Sequence, residues 1–256
     1  MNKKIVLLCT ECYSTTALYN YINTDYPIEA IITEEPLRGL ALAKRRFKRL
    51  GFFQVCGQIA FSLLIVPVLS LLGKRRVKEI KQLYSFDEKG LPPEKITHFR
   101  NVNDEACISL LEKINPDIVL VNGTRIISKK LLERCKSVFM NMHAGITPQY
   151  RGVHGGYWAV ANNDLEHCGV TIHLVDKGID TGGILYQNKI TVTRKDNFTT
   201  YPFSQLGEGM PLVKKAIGDA VLGQLKPLLH PSSPGKLWYH PTIWQYLYYR
   251  LFRNTK

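Results

Sequence analysis

Apolar residues in this chain follow two rhythms, and their alternation predicts the architecture. Lys4-Ile5-Val6-Leu7-Leu8-Cys9 is a continuous apolar run bounded by polar residues, as expected of a strand buried on both faces of a parallel sheet. Similar runs predict strands at Ile28 to Thr33, Ile96 to Phe99, Asp117 to Val121, Ser137 to His143, Val170 to Val175 and Ile184 to Val192. Between them the spacing predicts helices over Tyr13 to Ile22, Asp104 to Ile114, Ser128 to Cys135 and near His154 to Asn162. Strand and helix taking turns in this way define an α/β fold with a doubly wound, Rossmann-like, mostly parallel sheet.

One stretch breaks the rhythm. Gly51 to Gly73 is almost wholly apolar and lies between two basic clusters, Lys44 to Arg49 and Lys74 to Lys81. From Arg38 to Lys81 there are eleven Lys and Arg against one acid, Glu79, which is +10 of the chain's +13. Length alone suits a membrane-spanning helix. The flanking strands belong to one sheet, however, so both ends lie on one side of any membrane and a single span is impossible. Basic flanks on both sides also give no positive-inside asymmetry. Three readings stay open for residues 40–82: an interfacial or re-entrant element drawn to anionic lipid, a homo-oligomer contact, and a lid over a site. Each treats the segment as a basic, apolar helical insertion dispensable to the fold.

Composition bounds the rest. With 256 residues, 45% of them hydrophobic, the chain can bury one large core plus a small appendage. That suggests a principal domain over 1–204 and a short C-terminal extension over 205–256, helical at first and aromatic from Leu237 to Phe252. Such aromatics suit a membrane interface, a sugar-stacking surface, a protein contact or a terminal helix packed on the core. No secretory signal precedes the first strand and the six cysteines fall mostly in apolar or helical runs, so thiols should be reduced and the location cytoplasmic. If the insertion meets lipid, the location becomes peripheral at the inner face of the membrane. Cys9-x-x-Cys12 lacks the second pair that zinc needs, and no metal site is expected. Positive charge that flanks an apolar run, with no recognised nucleic-acid module, argues against a nucleic-acid partner.

Candidate chemistry gathers at the end of the strand over 137–143. In an extended strand residues two apart share a face, so Asn141 and His143 project side by side. An amide that can donate to a developing oxyanion, beside an imidazole that can move a proton, equips a site for acyl transfer to an amine. Asp176-Lys177-Gly178-Ile179-Asp180-Thr181-Gly182 adds the carboxylate of Asp180 on a glycine-rich turn. His173, mid-strand and facing opposite to Ile172 and Leu174, reads as a packed or supporting histidine.

These residues resemble the formyltransferase catalytic domain, whose pattern is Asn-x-His, a Pro and a Lys/Arg-Gly on the exit loop, then Asp-x-Gly after the next strand. Here those positions are Asn141, His143, Pro148, Arg151-Gly152 and Asp180-Thr181-Gly182. The resemblance is firm from about Asp117 to Gln187, weaker over 1–35, and absent over about 40–82 and beyond about 205. It implies formyl transfer from 10-formyltetrahydrofolate to a primary amine, with Asn141, His143 and Asp180 catalytic. It also places Arg125, Ile126 and Ile127 against the folate, with Val175, Asp176 and Gly178 as the opposite wall. Ser14, Thr15, Arg151, Gly152 and His154 are the expected acceptor contacts.

The acceptor is read from departures within the family. Glycinamide ribonucleotide enzymes carry a glycine-rich phosphate loop after strand one, where this chain has Cys9-Thr10-Glu11-Cys12-Tyr13-Ser14-Thr15. Without glycines the amides close less tightly on a phosphate, and Glu11 repels it. Methionyl-tRNA enzymes add a C-terminal barrel, for which the 51 residues after Gln205 are few. A formyltetrahydrofolate hydrolase would use water in the amine's place, and such members usually carry an N-terminal regulatory domain. Formyl transfer to a 4-amino sugar nucleotide is therefore the leading expectation, ahead of glycinamide ribonucleotide.

Overall fold

The computed structural model describes residues 3–36, 46–228 and 235–253. Its strands are β1 (Ile5–Cys9), β2 (Ile28–Glu34), β3 (Ile96–Phe99), β4 (Ile118–Asn122), β5 (Val138–His143), β6 (Arg151–Gly152), β7 (Gly169–Leu174), β8 (Ile184–Lys189) and β9 (Leu237–Trp238). Seven of them form one sheet in the order β3-β2-β1-β4-β5-β7-β8. From β3 to β5 every pairing is parallel, whereas β7 runs antiparallel to β5 and β8 antiparallel to β7. The mostly parallel, Rossmann-like sheet is as expected.

The period of two along β1 divides the core. Ile5, Leu7 and Cys9 face one side, packed with α1 (Tyr13–Asn23) through Leu18 and Ile22 and with α7 (Tyr201–Val221) through Leu206, Met210 and Ile217. Val6 and Leu8 face the other, against Ile108 and Leu111 of α4 (Glu105–Ile114) and Leu131 of α5 (Lys129–Arg134). Ser128 caps α5 by accepting the Leu131 amide at 3.2 Å. Since β1 is buried on both faces, each of its residues must be apolar, and each is.

Several expectations change. The domain boundary drawn at 204/205 falls inside α7, whose later turns carry core residues, because one apolar stripe runs the whole helix. β8 stops at Lys189, not Val192, and the chain then folds into a turn in which Asp196 accepts from the Thr193 amide and hydroxyl. The helix expected near His154 is α6 (Gly155–Ala161), with His154 as its left-handed cap.

The insertion departs furthest from expectation. Residues 40–45, its predicted start, lie outside the described residues. From Phe52 to Leu83 the chain is one continuous rod, composed of α2 (Phe52–Ala60), a π-helical stretch Phe61–Ile65 and α3 (Val66–Leu83). The rod is seated on the domain. Phe61 and Leu69 are buried in a third core with Tyr150, Tyr157, Trp158 and Tyr246. Arg76 Nε lies 2.8 Å from Asp196 Oδ1, and the Asn197 side chain donates to the Leu69 carbonyl at 3.1 Å. The C-terminal α8 (Ile243–Phe252), started by a capping box between Thr242 and Gln245, buries Tyr246 in the same core.

Phe61→Ala should therefore lower stability by about 3–5 kcal/mol by opening a cavity in that third core. Leu63→Ala, two residues along and 69% exposed, should stay within about 0.5 kcal/mol. Urea unfolding of the two variants measures the difference, and equal costs would mean that the insertion does not seat on the domain as described.

Candidate active site

The carboxyl end of β5 delivers the site. Asn141 sits opposite His173 in the antiparallel pairing with β7, so two polar side chains meet across one register position. The loop after β7 then brings in Asp180, whose φ of 51° is left-handed. That loop lies flat against the strand end: a Cβ at Gly182 would sit 1.7 Å from the Leu174 carbonyl oxygen, so only glycine fits there. Asp176 braces it, with Oδ1 accepting from the Gly178 amide at 2.9 Å and the Thr181 hydroxyl at 2.7 Å.

Asp180 is the hub. Its Oδ2 accepts from the Gly152 amide at 2.9 Å and lies 3.4 Å from His143 Nδ1, while Oδ1 lies 3.6 Å from His173 Nε2. His143 Nε2 is 2.7 Å from the Tyr150 carbonyl, which can only accept, so Nε2 carries the proton and a neutral ring leaves Nδ1 bare toward Asp180. By the same logic His173 Nδ1 donates to the Leu174 carbonyl at 2.7 Å, and its Nε2 accepts from the Asn141 amide at 3.1 Å. Burial alone would raise the Asp180 pKa, but His143, His173 and the Gly152 amide outweigh it and hold the carboxyl at about 2. Burial also pulls His143 below the ordinary histidine value against the attraction of Asp180. Asp180 and His143 Nδ1 thus face each other as a pair able to hold one proton between them.

A cavity of about 390 Å³ opens over this hub. Asn141, His173 and Asp180 form its floor, and His143 lies one layer behind, reached through Asp180. Arg125, Ile126, Ile127, Val175, Asp176 and Gly178 all line the cavity. The Arg125 guanidinium is not free to meet a ligand. Glu34, a buried carboxylate, takes the Arg125 Nε at 2.8 Å and its backbone amide at 2.5 Å. Ile126 is 47% exposed and turned to the cavity, an apolar surface suited to a flat heteroaromatic ligand.

The expected acceptor contacts do not all converge. Gly152 lines the cavity and Arg151 does not; the Arg151 Nε donates to the Ile179 carbonyl at 2.9 Å and so steadies the Asp180 loop. Ser14 and Thr15 are also absent from the wall, tied instead into a knot beneath α1 in which the Asn122 amide donates to both hydroxyls and Thr15 donates to the Thr10 carbonyl. His154 stands behind the wall, with Nε2 2.8 Å from Nδ1 of His240.

The wall opposite the family-like one comes from segments with no family pattern. Arg46, Arg49, Leu50 and Gln58 come from the insertion and Leu237 to His240 from the C-terminal segment. Gln58 and Ser62 bind them together: Gln58 Nε2 donates to the His240 carbonyl at 2.8 Å, and Ser62 Oγ is 2.9 Å from His240 Nε2. Sequence reasoning missed this wall, and His173, read as packed or supporting, meets Asn141 and lines the cavity. The antiparallel register of β5 and β7 is the signal that would have paired His173 with Asn141. Nothing local links residues 46–58 to 237–240. Among the described residues no cluster of His, Cys, Asp or Glu is arranged to hold a metal.

An amide donor, two imidazoles and a carboxylate on the carboxyl edge of a doubly wound sheet have the chemistry that acyl transfer needs. The formyl transferase family profile matches residues 72–205, and the chain belongs to that family. The match starts inside α3, earlier than the sequence pattern suggested. A methionyl-tRNA formyltransferase of Finegoldia magna is 38% identical over 121 residues, covering 47% of this chain and 39% of that protein. The chain spans about half the length of the curated relatives it matches. Among solved structures, a 4-N formyltransferase of Francisella tularensis matches at TM-score 0.56 and 18% identity, covering 93% of this chain and 77% of that one. A phosphoribosylglycinamide formyltransferase of Anaplasma phagocytophilum matches at 0.58 and 15%, covering 93% and 97%. Both likenesses are of fold.

The histidine pair behind the wall makes stability depend on pH. Burial pushes His154 down to about 3 and His240 to about 4, from an ordinary 6.5. Both are neutral when folded, so their contribution is complete above 6.5 and is lost as pH falls, because the unfolded chain takes up protons first. Melting temperature should drop between pH 7 and 5, and His240→Gln should flatten that drop. An unchanged slope in the variant would place the acid sensitivity elsewhere.

Proposed function

We propose that this chain transfers the formyl group of 10-formyltetrahydrofolate to a primary amine on a small molecule, and that the acceptor is an amino sugar carrying a nucleotide, a 4-amino sugar in the leading case. The observation that carries the transfer is the Asn141, His143, His173 and Asp180 constellation beneath a cavity with an apolar slot. The pteridine ring fits between Ile126 and Val175, which both line that slot. Asn141 has one amide hydrogen held by His173, and the other is left for the negative charge developing on the formyl oxygen. As the amine nitrogen bonds to the formyl carbon it sheds a proton, which Asp180 takes up and shares with the bare Nδ1 of His143. The bond from the formyl carbon to the folate nitrogen then breaks, and that nitrogen receives a proton from the same pair.

The second wall supports the acceptor class. Arg46 and Arg49 form no ion pair among the described residues, and Arg49 instead lies 5.4 Å from the centre of the Tyr239 ring. Guanidinium groups without carboxylates suit phosphate, and Trp238 and Tyr239 suit a base or sugar ring. Gln58 is 1% exposed, and its Oε1 has no hydrogen-bond partner. A hydroxyl or amine of the acceptor would satisfy it. Names among the curated relatives favour charged initiator tRNA as a second acceptor.

Asn141→Ala, His173→Ala and Asp180→Asn should each lower kcat by about 10²–10³ with little change in melting temperature. Because they serve one developing charge, the doubles should fall far short of the product of the singles. Wild-type turnover in any single variant would remove that residue from the site.

The acceptor is tested with 10-formyltetrahydrofolate and a panel of amino-sugar nucleotides, glycinamide ribonucleotide and charged initiator tRNA, with product mass as the readout. An amino-sugar nucleotide should be formylated, and Arg46→Ala and Arg49→Ala should raise its KM while sparing the KM for the folate. Formylation of the tRNA or of glycinamide ribonucleotide alone would overturn the sugar reading. Formylation of nothing on the panel, with no folate bound, would overturn the transfer itself.

A further inference from the structure

The outer face of the insertion is apolar where a protein in water should be polar. On the rod from Phe52 to Leu83, Phe53 is 80% exposed, Leu63 69%, Leu64 62%, Val68 54%, Leu71 63% and Leu72 71%. The opposite stripe, Val55, Phe61, Leu69 and Ile80, is buried on the domain. The outward side chains therefore have no role in the third core. α8 lies alongside, with its Trp244 ring on Gly57, and extends the same face with exposed Leu247, Tyr248, Leu251 and Phe252. A continuous apolar surface on this scale marks an interaction site.

Charge identifies the partner. Exposed Lys48 and Arg49 stand before the apolar face, Lys74, Arg75 and Lys78 after it, and Arg253 at the end of α8. Glu79 is the only acid on the rod, and Lys195 and Arg75 already engage it. An apolar strip with basic ends and with Trp and Tyr at its margin is complementary to the headgroup and acyl boundary of an anionic bilayer. A second copy of this chain would instead bring the same basic ends together. The rod leaves the sheet after β2 and returns at β3, and both strands belong to the one sheet of the domain. Both ends of the rod lie on one side, so it rests on a membrane and does not cross one.

We propose that the outer face of α2, α3 and α8 docks this protein on an anionic membrane surface. Arg46, Arg49, Leu50 and Gln58 line the cavity from the same segment, so docking sets the acceptor wall close to the bilayer. This inference stands whether or not the acceptor is the sugar named above.

The test is flotation of the full chain with vesicles of phosphatidylcholine alone, and of phosphatidylcholine with phosphatidylglycerol, at low and raised salt. The protein should float with the anionic vesicles at least about tenfold more than with the neutral ones, and salt should reduce the difference. Leu63→Glu/Leu64→Glu/Leu71→Glu should abolish flotation while leaving the melting temperature and any formyl transfer to a soluble acceptor unchanged. Lys74→Glu/Arg75→Glu should erase the preference for anionic vesicles, a readout that holds even if the triple variant folds poorly. Protein that stays unbound to both vesicles would overturn the proposal. So would a concentration-dependent dimer that does not float and that the triple variant dissolves, which would give the face to a second copy.

Discussion

One carboxylate organises the site. Asp180 reaches His143 on β5, His173 on β7 and the backbone of β6, and so ties the β6 segment to the paired ends of β5 and β7. A buried charge with fewer partners would be lost to protonation, and this one stays ionised because each of its neighbours favours the charged form. The left-handed turn that presents it, and the glycine that lets the turn lie against β7, follow from that requirement. β5 and β7 hold each other through their own ladder, so moving the carboxylate would cost the chemistry more than the sheet.

Around this hub the cavity is built from two kinds of material. The floor and one wall come from strand ends and the loops after them, where a doubly wound sheet ordinarily holds its ligands. The other wall is a clamp in which His240 bonds to Ser62 on one side and to His154 on the other. Those residues lie in the insertion, the C-terminal segment and the cap of α6, so the clamp fastens the unusual segments to the start of a helix of the domain. Because both imidazoles must stay neutral, the clamp is strongest above the ordinary histidine range and weakens as the solution turns acid.

Much of this was legible in the sequence where local pattern and burial agree. The strands buried on both faces announced themselves as apolar runs, and Asn141 and His143 could be paired because a strand has a period of two. Asp180 was found through its glycine-rich turn. What escaped depends on long-range packing. His173 looked like a packed histidine because its partner is on the next strand of the sheet, where the pairing turns from parallel to antiparallel. The second wall escaped because its two halves are some 180 residues apart. Ser14 and Thr15 carried the hydroxyls expected of a substrate site, but Asn122 and the Thr10 carbonyl had already claimed them. The insertion looked detachable because its apolar residues circle the helix, and only the third core shows which of them turn inward.

The π-helical stretch Phe61–Ile65 gives that rod its phase. In a regular helix each residue advances about 100°, so positions eight apart miss alignment by about 80°. Phe61 and Leu69 are eight apart, yet both enter the same core. The wider π turn absorbs the surplus rotation across its five residues, as one extra residue accommodated in an older helix would. Removing a single residue from that stretch would leave Phe61 and Leu69 seven apart, which a plain α-helix keeps nearly in line. The rod could therefore lose one residue at that point without re-aiming either face, whereas a loss elsewhere between Phe52 and Leu83 would turn one face away from the domain.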